Sequence, residues 1–404
     1  MPPHLKKDEI LRLKGDLDGA IASATSQLAT RHSPSSSIRT LTMACLESGR
    51  ELEGIAALRN TCDGNDDAVV RAMLLLRSRI ADQSERSALC MLANDYTMRL
   101  IMEGADSSKI IRSIAATSQA GLALERTTLD AIRLAVAKET ALPEWLSLRF
   151  LGACSDNSAA VNLFVSGCPR SGTSALGRLL RLCPEIALYH ERFGPHLGYS
   201  QRQFEGNNAI VGVDSQFRMH DWWMETWKCS ASARYVGDKM PLFTSSWHIT
   251  RHNYSPKNIR IIHIVRSAED VAASYVQRCR RTIADEKNGA RGWARERNEL
   301  AAAFELNTTN RLVQAILDSE YSNAVLLVQY DRLFSDEAYA LQLFQWLGLH
   351  INDQLRDGVH SFIEGSRVIA QKQRLLGNSV QQRLGARLDR SLQDRVMARS
   401  FELA

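Results

Sequence analysis

Apolar residues recur at helical spacing through the first third of the chain. Behind Asp66 and Asp67 come Val69, Val70, Met73, Leu74 and Leu76; behind Ser84 come Leu89, Leu92, Tyr96 and Leu100, as far as Gly104. Steps of three and four put each set on one helix face, and the acidic pair suits a helix N-terminus. Ser107 caps a third segment carrying Ile110, Ile111 and Ile114, and another runs from Thr128 to a stop before Pro143. The polar tract 32–37, His-Ser-Pro-Ser-Ser-Ser, reads as a loop.

The pattern changes across 152–162, a small and polar stretch. Beyond it, short apolar runs alternate with amphipathic segments. Val161 to Val165, Ile210 to Val213, Tyr235 to Val236, Ile259 to Val265 and Ala324 to Val328 read as strands. A helix follows the first of them, through Leu182. Alternating strand and helix predicts an α/β fold, a parallel sheet covered by helices on both faces. The expected organisation is a helical domain over 1–155 and an α/β domain over 156–404. The helical part fits degenerate tetratricopeptide-like repeats or a plain antiparallel bundle, since it shows no clean period.

Composition narrows the function classes. Of 404 residues 45% are hydrophobic and 24% charged, which excludes wholesale disorder and fibres. No apolar run approaches the roughly 20 residues of a membrane span, and the N-terminus has no apolar signal core, so a cytoplasmic protein is expected. A net charge of +5 is too dilute for non-specific nucleic-acid binding. Two Arg-rich stretches, Arg278 to Arg297 and Arg367 to Arg399, are either solvated helix faces or the lining of an anionic pocket. The eight cysteines show neither metal-site nor disulfide-framework spacing, so reduced thiols are expected.

The strongest chemical signal is Gly167-Cys168-Pro169-Arg170-Ser171-Gly172-Thr173-Ser174. It follows an apolar strand and opens a helix with Leu176, Leu179 and Leu180, the context of a phosphate-cradling loop. Gly167 and Gly172 have Walker A spacing, but Thr173 stands where that loop has Lys, and the cation sits inside the loop at Arg170. Without that Lys a magnesium-dependent P-loop kinase or nucleotidase is disfavoured, and a guanidinium fork suits a singly phosphorylated end. A non-catalytic helical-repeat interaction protein is the other alternative.

This loop resembles the 5′-phosphosulfate loop of the sulfotransferases that use 3′-phosphoadenosine 5′-phosphosulfate (PAPS), closest to the branch of tyrosylprotein and bacterial enzymes. The resemblance covers about residues 160 to 350. It implies that Arg170, Ser171, Gly172, Thr173 and Ser174 hold the 5′ end of the nucleotide. It likewise implies that Arg266, after the strand Ile259 to Val265, and Ser274, eight positions on, hold the 3′-phosphate. Arg278 shares a helix face with Ser274, and an Arg at this place also touches the nucleotide in the tyrosylprotein branch, which implies the same contact for Arg278. Tyr330 resembles the family's Y-[DE]-x-L position, with a ring that either touches the nucleotide or packs in the core. Ser267 and Asp270 look like a capping box, hence structural.

Two more positions follow from the same resemblance. Glu191, 21 residues after Arg170, stands at the place of the catalytic Glu. Sulfuryl transfer to a hydroxyl needs a base, and a free Glu of pKa about 4.3 is a weak one unless burial raises it. His190 is the rival base. Lys239, in Gly237-Asp238-Lys239-Met240-Pro241, matches the family's Lys that neutralises the bridging oxygen as it leaves. The implied reaction uses PAPS as co-substrate, needs no metal, and sulfates a hydroxyl on a glycan, lipid, peptide tyrosine or small metabolite. The helical domain is left as a surface for a protein partner or self-association. Arg367, Lys372 and Arg374 are candidates for the late nucleotide loop. Trp222, Trp223 and Trp227 are candidates to stack on an acceptor, or core residues.

Overall fold

In the computed structural model the N-terminal periodicity folds as six helices among the described residues. They are α1 Leu17–Ala29, α2 Pro34–Ser48, α3 Glu51–Thr61, α4 Asp67–Ile80, α5 Gln83–Met102 and α6 Ser107–Gln119. The structure describes residues 8, 11–12, 16–29, 34–61, 67–81, 83–105, 107–120 and scattered positions to 132. It also describes 161–192, 199, 201–204, 221–286, 299–370 and 377–400. The chain divides into two units, Met1–Thr140 and Ala141–Ala404. The expected boundary at 155, most of the helix from Thr128 and the expected strand at 210–213 lie outside the described residues.

In the first unit, α4 and α5 supply the buried Leu74, Leu89 and Ala93 that pack with Leu122. An Arg12–Glu47 ion pair of 2.7 Å is buried as well. The tract read as a loop is in part a helix, because residues 34–37 form the first turn of α2. Proline is tolerated there: its missing N–H would have no intrahelical partner, and its fixed φ already suits the helix.

The second unit is built on a five-stranded parallel sheet. Its strands are β1 Val161–Gly167, β2 Ile186–His190, β3 Tyr235–Lys239, β4 Ile259–Val265 and β5 Val325–Gln329, in the order β2-β3-β1-β4-β5. Strand β2 escaped the sequence reading. It is a run of only five residues close behind Pro184, with every side chain from Ile186 to Tyr189 buried, so it shows no alternation. Among the described residues, the helices of this unit longer than one turn are α7 Thr173–Leu180, α8 Asp221–Ser230, α9 Ala268–Glu286, α10 Glu299–Leu317, α11 Glu337–Trp346, α12 Asp353–Ala370, α13 Asn378–Gly385 and α14 Arg390–Arg399. Alternate residues of each strand face opposite layers. Leu163, Val165, Ile262, Ile264 and Val328 pack under α7, α11 and α12. Phe164, Ile261, Val265, Val325 and Leu327 pack against Val313 and Ile316 of α10 and Leu392 and Val396 of α14. Among the described residues no helix is long and apolar enough to cross a membrane.

His263 sits inside β4 with its Nδ1 bonded to nothing. Burial drives its pKa from 6.5 down to about 3, so the folded chain keeps it neutral. Below pH 6.5 the unfolded chain takes up a proton that the folded chain refuses, and stability falls with pH towards 3. The expected cost at pH 4 relative to pH 7 is about 3 kcal/mol. Urea midpoints for the wild type and His263→Leu, compared at pH 7 and pH 4, measure it. Equal losses in the two proteins would show that His263 is not the group responsible.

Candidate active site

The cradle forms where β1 ends and α7 begins. Gly167 has φ 154° and Gly172 has φ 107°, and both admit no side chain. A Cβ on Gly167 would lie 2.7 Å from the Ile264 carbonyl, and one on Gly172 would lie 2.5 Å from the Tyr330 ring. The Thr173 and Ser174 amides come before the first helical hydrogen bond, which Ala175 makes to the Gly172 carbonyl at 2.9 Å, and they carry the positive end of the helix dipole. Ser171 is buried, and its hydroxyl hydrogen-bonds nothing. That leaves a donor inside the loop for an anion to satisfy. Thr173 is buried in the same turn, whereas Ser174 points to solvent.

Among the described residues, the two non-glycines with positive φ are Arg170 at 71° and Glu191 at 54°. A left-handed backbone costs an ordinary residue about 1–3 kcal/mol and persists where the surroundings impose it, which happens disproportionately at functional sites. Both residues are ones that sequence alone singles out.

Arg170 reaches across the sheet edge, its Nε donating to the Ser274 hydroxyl at 3.0 Å. Arg266 leaves the end of β4 and aims at the same spot, with Nη1 3.5 Å from the Arg170 carbonyl. Its guanidinium carbon lies 4.0 Å from the centroid of Tyr330. The Asp270 carboxylate, one turn on, stands 3.6 Å from Arg266 Nε. Ser267 caps α9 as its sequence pattern indicates, accepting from the Asp270 amide at 3.2 Å. Tyr330 is therefore packed between the loop glycine and the guanidinium. Arg278, one turn after Ser274, is half-buried on α9. The structure thus brings Arg170, Ser171, Gly172, Arg266, Ser274 and Tyr330 to one corner. It describes neither the side chain of Arg367 nor the residues Lys372 and Arg374, and the side chains of Trp222 and Trp223 are likewise outside the described residues. Trp227 is packed against the core face of the sheet.

On the other side of the loop, β2 and β3 end together, with His190 paired to Lys239. Lys239 is 0% exposed, and its Nζ donates to Glu191 Oε1. The Glu191 side chain is 49% exposed, so the burial that the sequence reading expects of a carboxylate base is not found here. Burial lowers the Lys239 pKa, and the Glu191 charge partly restores it. The turn at Glu191 is held by its own amide on the Lys239 carbonyl at 2.9 Å. A second bond runs from the Arg192 amide to Asp238 Oδ1 at 3.4 Å. Asp238, fully buried, went unnoticed in the sequence; its place beside Lys239 was the available signal. His190 Nε2 stands 4.0 Å from Glu191 Oε1. Burial, reinforced by Lys239, Arg181 and Arg178, drops the His190 pKa to about 4, which leaves it neutral and weakly basic.

Residues 161–370 match the family model described as "Sulfotransferase domain". Among solved structures, a sulfotransferase domain from the curacin biosynthetic pathway is 16% identical with a TM-score of 0.34, over 48% of this chain and 76% of that one. A sulfotransferase from Alicyclobacillus acidocaldarius is 18% identical with a TM-score of 0.31, over 54% of this chain and 98% of that one. A sulfotransferase from Mycobacterium avium is 10% identical with a TM-score of 0.34, over 72% and 83%. No curated protein matches the chain.

Proposed function

The chain belongs to the sulfotransferase domain family, and we propose that it moves the sulfuryl group of PAPS to an acceptor hydroxyl with Glu191 as general base and no metal. The observation that carries the reading is the convergence on one sheet edge of a glycine cradle, three anion-binding side chains and a carboxylate–ammonium pair. The residues fit the donor: the unpaired Ser171 hydroxyl and the Thr173 and Ser174 amides suit its 5′ end, and Arg266 with Ser274 suits its 3′-phosphate. When bound, PAPS supplies the activated sulfur.

The chain's own groups do the rest. The exposed part of the Glu191 carboxylate receives the acceptor's proton as the hydroxyl oxygen attacks sulfur and the bond from sulfur to the phosphate oxygen breaks. Lys239 and Arg170 meet the charge that develops on that departing oxygen. A sulfuryl group carries less charge than a phosphoryl, so fixed cations suffice and catalysis is mainly positioning plus electrostatics. Arg278 adds positive potential beyond Ser274.

The test is incubation with labelled PAPS and a panel of glycan, lipid, tyrosyl-peptide and small-hydroxyl acceptors, read by mass spectrometry for sulfated product. Magnesium-dependent ATP turnover without sulfation would replace this reading with a nucleotidase. In the same preparation, Arg266→Ala should weaken adenosine 3′,5′-bisphosphate roughly 10- to 100-fold in calorimetry, while adenosine 5′-phosphate changes little. Equal losses for the two nucleotides would remove Arg266 from the 3′-phosphate.

A further inference from the structure

The family match ends at residue 370, yet α14 lies beyond it and touches the nucleotide corner from behind. We infer that Gln393 of α14 is a positioning residue for the 3′-phosphate subsite, acting through the backbone of Arg266; the inference rests on the nucleotide reading above.

The Gln393 side-chain amide is buried between two partners. Its Nε2 donates to the Arg266 carbonyl at 3.1 Å. Its Oε1 accepts from Asn310 Nδ2 of α10 at 2.6 Å. A carbonyl only accepts, so the NH₂ end must face Arg266, and Asn310 holds the amide in that sense. The opposite end of the same helix, at its C-cap Ser400, ties the neighbouring strand: Gln329, the last residue of β5, donates through Nε2 to the Ser400 hydroxyl at 2.9 Å. Gln329 precedes Tyr330, whose ring supports the Arg266 guanidinium. One helix therefore fixes Arg266 at its carbonyl and, through β5 and Tyr330, at its charged end. Its own seat is apolar and capped, with Leu392 and Val396 in the sheet core and the Leu392 amide on Asp389 Oδ1 at 3.0 Å. Arg170 donates to the partner hydroxyl of this corner, so a small displacement of the Arg266 backbone changes the spacing of the group that grips phosphate.

The experiment compares wild type, Gln393→Met and Asn310→Ala in the full chain by calorimetry with adenosine 3′,5′-bisphosphate and adenosine 5′-phosphate, and by PAPS kinetics. Met keeps the length of Gln and removes both bonds. Gln393→Met is expected to weaken the bisphosphate about tenfold and the monophosphate less than about twofold, as the loss of a hydrogen-bonded brace implies. KM for PAPS should rise in step with kcat near the wild-type value. Asn310→Ala, which frees the amide without touching Arg266, should move the same ratio about threefold and covers the case in which Gln393→Met does not fold. An unchanged ratio, or equal weakening of both nucleotides, overturns the inference. A wild-type chain that does not prefer the bisphosphate overturns the nucleotide reading first, which keeps the two failures apart.

Discussion

Glu191→Gln will stop sulfuryl transfer and leave the nucleotide in place. Gln matches Glu in shape and can still accept the Lys239 hydrogen bond through its amide oxygen, so the turn around φ 54° keeps its geometry. What it cannot do is take a proton from the acceptor. Removing a general base costs about 10²- to 10⁴-fold in rate, and kcat should fall within that span. On the proposed reading, the 3′-phosphate of adenosine 3′,5′-bisphosphate is held by Arg266 and Ser274, away from Glu191, so its binding should stay within about twofold. His190→Ala is the companion variant. A histidine held near pKa 4 by burial and three cations is a poor base at neutral pH, so its loss should cost little. If Glu191→Gln turned over near the wild-type rate while His190→Ala did not, the base would be His190.

The parts of the site that lie close together in the chain were legible as sequence. The strand, glycines and helix around Arg170 announce themselves within 20 residues, and Arg266, Ser267, Asp270 and Ser274 share one strand end and one helix. The pairing of Lys239 with Glu191 was not legible, although both residues stood out. It is set by the parallel register of β2 with β3, and β2 itself is too short and too uniformly apolar to show a period. The same limit hid the bond from Arg170 to Ser274, 104 positions away, and the one from Gln393 to Arg266, 127 positions away. Such contacts depend on how helices seat on the sheet, which neither spacing nor propensity records. Tyr330 shows the intermediate case: its Y-[DE]-x-L context marks the position, but only the packing shows the ring wedged between Gly172 and Arg266.

If Lys239 meets the departing oxygen as proposed, Lys239→Met should lower kcat about 10²- to 10³-fold, the range for removing one preorganised donor from a developing oxyanion. Lys239→Arg should not restore it, because Lys239 is fully buried and a larger planar guanidinium overpacks a site filled by a slender ammonium. The two members of the pair differ in how their loss is felt by the fold. Met at 239 removes a fully buried charge and leaves a carboxylate that is half in water, so thermal stability should hold or rise. Gln at 191 leaves the ammonium buried without its counter-charge, and burial then lowers the Lys239 pKa further than it already does. The alkaline limit for a protonated Lys239 therefore moves down, not up, when Glu191 is neutralised. In the double variant, Glu191→Gln with Lys239→Met, the kcat losses should fall well short of the product of the singles. Proton removal and charge neutralisation serve the same transition state, and once one is gone the other has little left to stabilise. Losses that multiplied in full would mean the two groups act on separate steps, and the contact between them would then be structural.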